Sequence, residues 1–165
     1  MIEGVVFDLE GTLVKLPIDY ETLYKEIKRE LKIRKIQPLT QTVGRLDNKA
    51  KQRVFSLWKR AELKAVPSMS VNEEGMRLYK KYSNKPVALV TLQGEAVVKK
   101  ILDHFQLSFR IIVTREHEIR REQQIRRAIN EMGGLEHRNV LMIGDRDSDE
   151  VAARHVGCKF VRVKI

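Results

Sequence analysis

Five short runs rich in β-branched and apolar residues punctuate the chain: Gly4–Phe7, Pro86–Val90, Phe109–Val113, Val140–Ile143 and Lys159–Val163. Helical patterns at Lys99–Phe105, Arg121–Met132 and Ser148–His155 separate the last four. Strand and helix alternating in this way build βαβ units, whose parallel sheet must be covered on both faces. The spacing therefore predicts an α/β fold with a Rossmann-like parallel sheet. A chain of 165 residues, 42% of them hydrophobic, makes one such domain with room for an insertion.

The insertion falls between the first two runs. Tyr20, Leu23, Tyr24, Ile27 and Leu31 recur at helical spacing behind Asp19, a suitable N-cap. Val54, Leu57, Trp58 and Ala61 trace a second helix that Pro67 ends. Ser70 is read as opening a third, with Met76, Leu78 and Tyr79. No strand is expected within residues 17–83. The third helix leads straight into the second run, so residues 1–16 and 67–165 read as the core and 17–66 as a helical insertion. Trp58 reads as packing inside it. The insertion holds 13 Lys/Arg against 6 Asp/Glu, a net of +7 out of +10 for the whole chain. Such charge suits anionic partners, whether phosphorylated metabolites, nucleotides or nucleic acid, and it fits a mixed, ion-paired surface equally well.

No stretch reaches the roughly 18 apolar residues of a membrane helix. Nothing at the N-terminus resembles a secretory signal. The single Cys158 excludes an intramolecular disulfide, and His104, His117, His137 and His155 lack metal-ligand spacing. A soluble cytoplasmic protein without a membrane partner is expected; oligomeric state is not legible.

Ligands of open α/β sheets bind beyond the carboxyl ends of the strands. The first run ends in Asp8, Glu10, Gly11 and Thr12, the second in Thr91, and the fourth in "GDRDSD", which supplies Asp145, Asp147 and Asp149. Carboxylates at the mouth of a core strand lose hydration and repel one another, so a cation should compensate them. Clustered oxygen ligands suit a hard ion such as Mg²⁺. Arg146 and Asp147 read as local ion-pair partners.

These residues resemble the motifs of the haloacid dehalogenase superfamily over nearly the whole chain. Its first motif, Asp-x-Asp-Gly-Thr after a strand, reads here Asp8-Leu-Glu10-Gly11-Thr12; its second, a Ser or Thr closing an apolar strand, is Thr91. Its fourth, Gly-Asp with a further Asp four residues on, is Gly144-Asp145 and Asp149. The resemblance implies a core sheet of order 5-4-1-2-3 and a short helical cap at residues 17–66. It implies a Mg²⁺-dependent phosphatase acting on a small phosphorylated substrate through an aspartyl-phosphate. Asp8 would be nucleophile and metal ligand. The Glu10 side chain would act as acid and base, and its backbone carbonyl would join Asp8, Asp145 and Asp149 at the metal. Thr12, Thr91, Leu92 and Gln93 would bind substrate.

Two departures stand out. Glu10 replaces the usual Asp; the superfamily's enolase-phosphatase branch also shows Glu here, whereas its dehalogenase and phosphonatase branches lack a carboxylate. The third-motif Lys is missing from "HEIRREQQIRRAI", where Arg120 or Arg121 stands nearest its place. An arginine fork replaces a compact ammonium only with rearrangement. The missing Lys and the basic insertion leave a rival reading, a catalytically weak member binding nucleic acid or a protein through its cap. A phosphotransferase or mutase using the same aspartyl-phosphate is a third.

Overall fold

Strand β1 (Gly4–Asp8) is buried at every position and forms the middle of a five-stranded parallel sheet. The computed structural model describes residues 1–36 and 38–165, and the statements below refer to them. Around β1 stand β4 (Val87–Val90), β5 (Ile111–Val113), β6 (Val140–Gly144) and β7 (Lys159–Arg162), in the order β5-β4-β1-β6-β7. Counting these five along the chain and reading from the β7 edge, the order is the expected 5-4-1-2-3. Val5 and Phe7 face one layer, and Val6 the other, as period-2 alternation requires.

Helices α4 (Glu73–Lys81) and α5 (Glu95–Phe105) cover the first face, packing Leu78, Val97 and Ile101 under Phe7 and Leu89. Helices α6 (Arg121–Glu131) and α7 (Asp147–Val156) cover the second with Ile125, Ala128, Ile129 and Ala153. Both faces are thus sealed, and polar groups reach solvent only at the strand ends.

Three helices, α1 (Tyr20–Leu31), α2 (Leu39–Gly44) and α3 (Asn48–Ala65), lie between β1 and β4. Asp19 caps α1 by accepting from the Thr22 N–H, as its position suggested. Leu23, Ile27, Val43, Val54 and Trp58 form a cluster of their own, against which Leu92 and Ile119 of the core pack. Helix α2 was not expected; six residues with only Leu39 and Val43 buried give periodicity too little length to register.

Two expectations need correction. The interval 17–83 does contain a strand: β3 (Ser70–Val71) pairs antiparallel with β2 (Val14–Lys15). Ser70 therefore opens no helix. Asn72 caps α4 instead, its Oδ1 accepting from the Glu74 and Gly75 N–H groups. The Asn72 amide nitrogen donates to the carbonyls of Gly11 and Lys164, and its backbone N–H to that of Leu13. One side chain thus starts a helix and pins the loop that follows β1, a link no local pattern announces. None of the helices is long and apolar enough to cross a membrane.

Candidate active site

The carboxyl ends of β1 and β6 bring three carboxylates together. Oxygens of Asp8, Asp145 and Asp149 all lie within 4.8 Å of one another. Asp8 terminates β1 beside Val90 of β4. Asp145 follows β6, and Asp149 sits in the first turn of α7, where the helix dipole favours a negative charge. Asp149 also accepts from the Arg146 backbone N–H at 3.2 Å, which fixes its rotamer.

Two glycines make this closeness possible. Gly11 turns the chain at φ +84°, and a Cβ there would stand 2.3 Å from Asp145 Oδ2. A Cβ on Gly144 would stand 2.6 Å from Asp149 Oδ2. Thr12 is fully buried, and its hydroxyl lies 3.2 Å from both Asp8 Oδ2 and Asp145 Oδ1, so it donates to one of the two.

Arg121 supplies the cation. Its guanidinium donates to Asp8 Oδ1 at 2.8 Å, pairs through Nε with Asp149 Oδ1 at 3.0 Å, and donates to Gln124 Oε1 at 2.8 Å. Gln124 is itself held by the carbonyls of Thr91 and Glu118. Every arm of the fork is engaged. Arg120 does not join it. As the residue capping α6 it is exposed, and it lines a neighbouring cavity of about 440 Å³. The reason is helical phase: Arg121 stands one turn before the buried Ile125 and Gln124 takes up its fork, while Arg120 lies outside the first turn.

Charge in the cluster is not balanced by Arg121 alone. Burial outweighs the guanidinium and, with Asp149 and Asp145 alongside, pushes the Asp8 carboxyl up to about 8. An all-oxygen set with surplus negative charge fits a hard divalent cation. Asp8, Asp145 and Asp149 are the residues that would hold it.

Glu10 points elsewhere. Its carboxylate accepts from Arg146 at 3.0 Å and borders a cavity of about 520 Å³ shared with Asp8, Arg121, Ser148, Leu92 and Gln93. Burial raises its pKa above the ordinary carboxylate range, with Arg146 opposing. Arg146 also lies 3.9 Å from the neighbouring Asp145, a local ion pair as expected, whereas Asp147 pairs with Arg162 at 2.7 Å. Thr91 is fully buried and is not among the cavity's lining residues; its hydroxyl donates to Gln93 Oε1 at 2.9 Å. In this arrangement Thr91 positions Gln93 and does not itself face the cavity. Sequence reasoning missed Gln124, Ser148 and the reach of Arg146 to Glu10, although Arg146 and Ser148 stand inside the fourth motif.

The model of the haloacid dehalogenase-like hydrolases matches residues 5–163. The chain belongs to that family. No curated protein sequence matches it. Among solved structures it resembles a haloacid dehalogenase-like family protein of Streptococcus pneumoniae, with 18% identity and a TM-score of 0.69, over 98% of this chain and 84% of that one. It also resembles a predicted phosphatase of Clostridium acetobutylicum, with 22% identity and a TM-score of 0.68, over 98% and 84%. A subfamily IA hydrolase of Geobacter sulfurreducens gives 16% and 0.68, over 98% and 89%. At such identities the likeness establishes the fold.

The geometry separates the two arginines experimentally. Arg121→Ala should lower turnover more than about tenfold, or roughly 1.4 kcal/mol of barrier. Arg120→Ala should stay within about twofold, as exposed substitutions do. Arg121→Lys should recover part of the loss, since it restores the charge but not the three-armed fork. Steady-state rates of the three variants check this; wild-type rates in both alanine variants would place the needed cation elsewhere.

Proposed function

We propose that this hydrolase is a Mg²⁺-dependent phosphatase that cleaves small phosphoric monoesters through an aspartyl-phosphate on Asp8. The observation that carries the reading is that Asp8 and Glu10 line one cavity, with Arg121 at 2.8 Å from Asp8. Nucleophile, acid and charge-neutralising cation thus share one space. Helices α1–α3 act as a cap over it, residues 17–66 forming the cap and the remainder the core.

The Asp8 carboxylate attacks phosphorus, and the bond from phosphorus to the ester oxygen breaks. Glu10 hands its proton to the departing oxygen, and Arg146 steadies the carboxylate left behind. Glu10 then takes a proton from water as that water attacks phosphorus, the bond to Asp8 breaks, and inorganic phosphate leaves. Arg121 neutralises Asp8 and Asp149 throughout, held in place by Gln124. Thr12 orients Asp8 and Asp145. Gln93, set by Thr91, and the Leu92 segment border the phosphoryl group. A divalent ion on Asp8, Asp145 and Asp149, with the Glu10 carbonyl, supplies neutralisation of the phosphoryl charge when bound.

The rival reading as a nucleic-acid or protein-binding module drew on the missing third-motif Lys. Arg121, paired with Asp8 and Asp149, weakens that support.

Phosphate release from a panel of monoesters, with Mg²⁺ and with chelator, tests the proposal. Turnover should need the metal, and Asp145→Asn should raise the Mg²⁺ concentration required. Release of no phosphate from any ester would overturn it.

Glu10→Gln should cut turnover about 10²–10⁴-fold on alkyl phosphates, the usual contribution of positioned acid–base catalysis. Aryl phosphates, whose leaving groups need less protonation, should lose less in the phosphoryl-transfer step. Burst kinetics on one ester of each kind measure this. Equal losses would remove Glu10 from the leaving-group role.

A further inference from the structure

The excess positive charge of the insertion is not spread over it. Residues 28–53 hold nine Lys/Arg against Glu30 and Asp47, a net of +7; the rest of residues 17–66 holds four of each sign. Helices α1 and α3 bring this segment to one end. Arg53 of α3 pairs with Glu30 of α1 at 2.6 Å, so the last turn of one helix adjoins the first turns of the other. At a rise of 1.5 Å per residue, Lys28, Arg29, Lys49, Lys51 and Arg53 all stand within about 8 Å of those two helix ends along the axes.

A mixed surface would pair these cations, and this one does not. Of the nine, only Arg53 has an ion-pair partner among the described residues. Asp47 is taken up as the cap of α3, accepting from the Ala50 N–H. Beyond that cap no acid stands in the first turn of α3, where the helix dipole favours negative charge and opposes Lys49 and Lys51. Crowded, unpaired cations repel one another, a repulsion that a bound anion would relieve. Lys32, Lys35, Arg45 and Arg53 line one concavity of about 600 Å³. It shares no lining residue with the cavity over Asp8 or with that cavity's neighbour. The short helix α2 serves both sides: Leu39 and Thr40 border the catalytic cavity, Thr42 and Arg45 the basic one.

The surroundings select the anion. Nine cations exceed what one small phosphate ester can meet, so the partner is extended. The large apolar side chains exposed among the described residues, Met1, Val151, Val161 and Ile165, all lie outside the insertion. A membrane or an apolar peptide therefore finds no exposed anchor there. Residues 28–53 contain no Phe, Trp, Tyr or His, so unpaired bases would find no platform to stack on. A duplex presents its charges outward and keeps its bases inside. We infer that the end of the insertion formed by residues 28–53 binds the phosphate backbone of a nucleic-acid duplex, without reading its sequence, at a site separate from the catalytic cavity. The inference does not depend on the phosphatase reading.

The test is fluorescence anisotropy of a labelled DNA duplex of about 20 base pairs, at salt concentrations from about 50 to 200 mM. The dissociation constant should be micromolar at the middle of that range, and binding should weaken steeply with salt. Replacing Lys32, Lys35 and Arg45 together by Gln should weaken binding about tenfold or more and reduce the slope of log affinity against log salt by about 2–3. Replacing three core cations, Lys99, Lys100 and Arg110, by Gln should change affinity less than about threefold, since exposed charges remote from the bound backbone are screened. Melting curves confirm that both triple variants are folded. Lys49→Glu should weaken binding and raise the melting temperature of the free protein by about 1–4 °C, because the helix dipole favours the new charge. Phosphate release from small esters should be unchanged in all three variants, since none of these residues lines the cavity over Asp8.

Duplex binding lost in the insertion triple alone upholds the proposal, whether or not any ester is cleaved. Equal losses in the two triples would assign binding to net charge and overturn it. Poly-L-glutamate competing as well as unlabelled duplex would make this a surface for an acidic protein, and would overturn it too. Tighter binding of the single strand than of the duplex would do the same.

Discussion

Asp8→Asn is expected to lower phosphate-ester turnover by about 10³-fold or more while leaving the fold intact. The amide is nearly isosteric with the carboxylate but is no nucleophile, and loss of an attacking group costs enzymes factors of this order. The structure explains why the fold should survive. Asp8 stands in a cluster whose three carboxylates approach within 4.8 Å, and burial already pushes its carboxyl up to about 8. A neutral amide escapes the cost of holding a carboxylate in this buried, acidic setting. The Thr12 hydroxyl still meets an acceptor, and Arg121 keeps Asp149. The metal-free melting temperature should therefore be no lower than that of the parent. Turnover within tenfold of the parent would place the nucleophile elsewhere. A melting temperature lower by several degrees would assign Asp8 to the framework instead.

Arg115→Ala should destabilise the protein by about 3–5 kcal/mol, the usual result of stripping one partner from a buried ion pair. For a chain of this size that is a fall of roughly 6–20 °C in melting temperature. Arg115 follows β5 in the core, and Glu62 lies on α3 between β1 and β4. Their bidentate contacts of 2.7 and 2.8 Å are almost wholly out of solvent. Glu62 also accepts from the Gly94 N–H, and Arg115 donates to the Leu92 carbonyl. The guanidinium stacks on Trp58 and Phe55 as well. The pair thus fastens the helical insertion to the loop beside the site. Truncating Arg115 leaves a buried carboxylate whose pKa burial already raises. The double variant Glu62→Leu with Arg115→Met should cost less than the sum of the single changes, because neither charge is then left unpaired. Thermal melts of the four proteins measure the coupling; additive losses would show that the two residues act independently.

Most of the candidate site could be read from the chain because strand ends are local features. A run of β-branched residues that stops at a carboxylate marks both an element and a position on the sheet's functional edge. Asp8, Asp145 and Asp149 each follow or border such a boundary, and the parallel order brings them together. Thr91 was legible as a strand end, but its hydroxyl turns to Gln93, two residues on, through a loop whose conformation no pattern encodes. Choosing between Arg120 and Arg121 depended on helical phase within one turn, where boundaries are uncertain by a residue or two. Gln124 carried no signal, since a buried glutamine on an amphipathic face reads as a polar interruption.

The sequence by itself determined the parallel α/β sheet, its order through family resemblance, the acidic cluster at its carboxyl edge and the basic helical insertion. These follow from periodicity, composition and strand ends, which are properties of short segments. Only the tertiary structure decided what faces what across long separations. It paired Arg146 with Glu10 and Arg162 with Asp147, locked Glu62 to Arg115, and joined Asn72 to both Gly11 and Lys164. Trp58, read as a packing residue, is 2% exposed within the insertion's own cluster, with Arg115 of the core over its ring. A side chain's partner depends on the rotation of each helix and the path of each loop. Those are set by the packing of the whole chain at once, so no local window contains them.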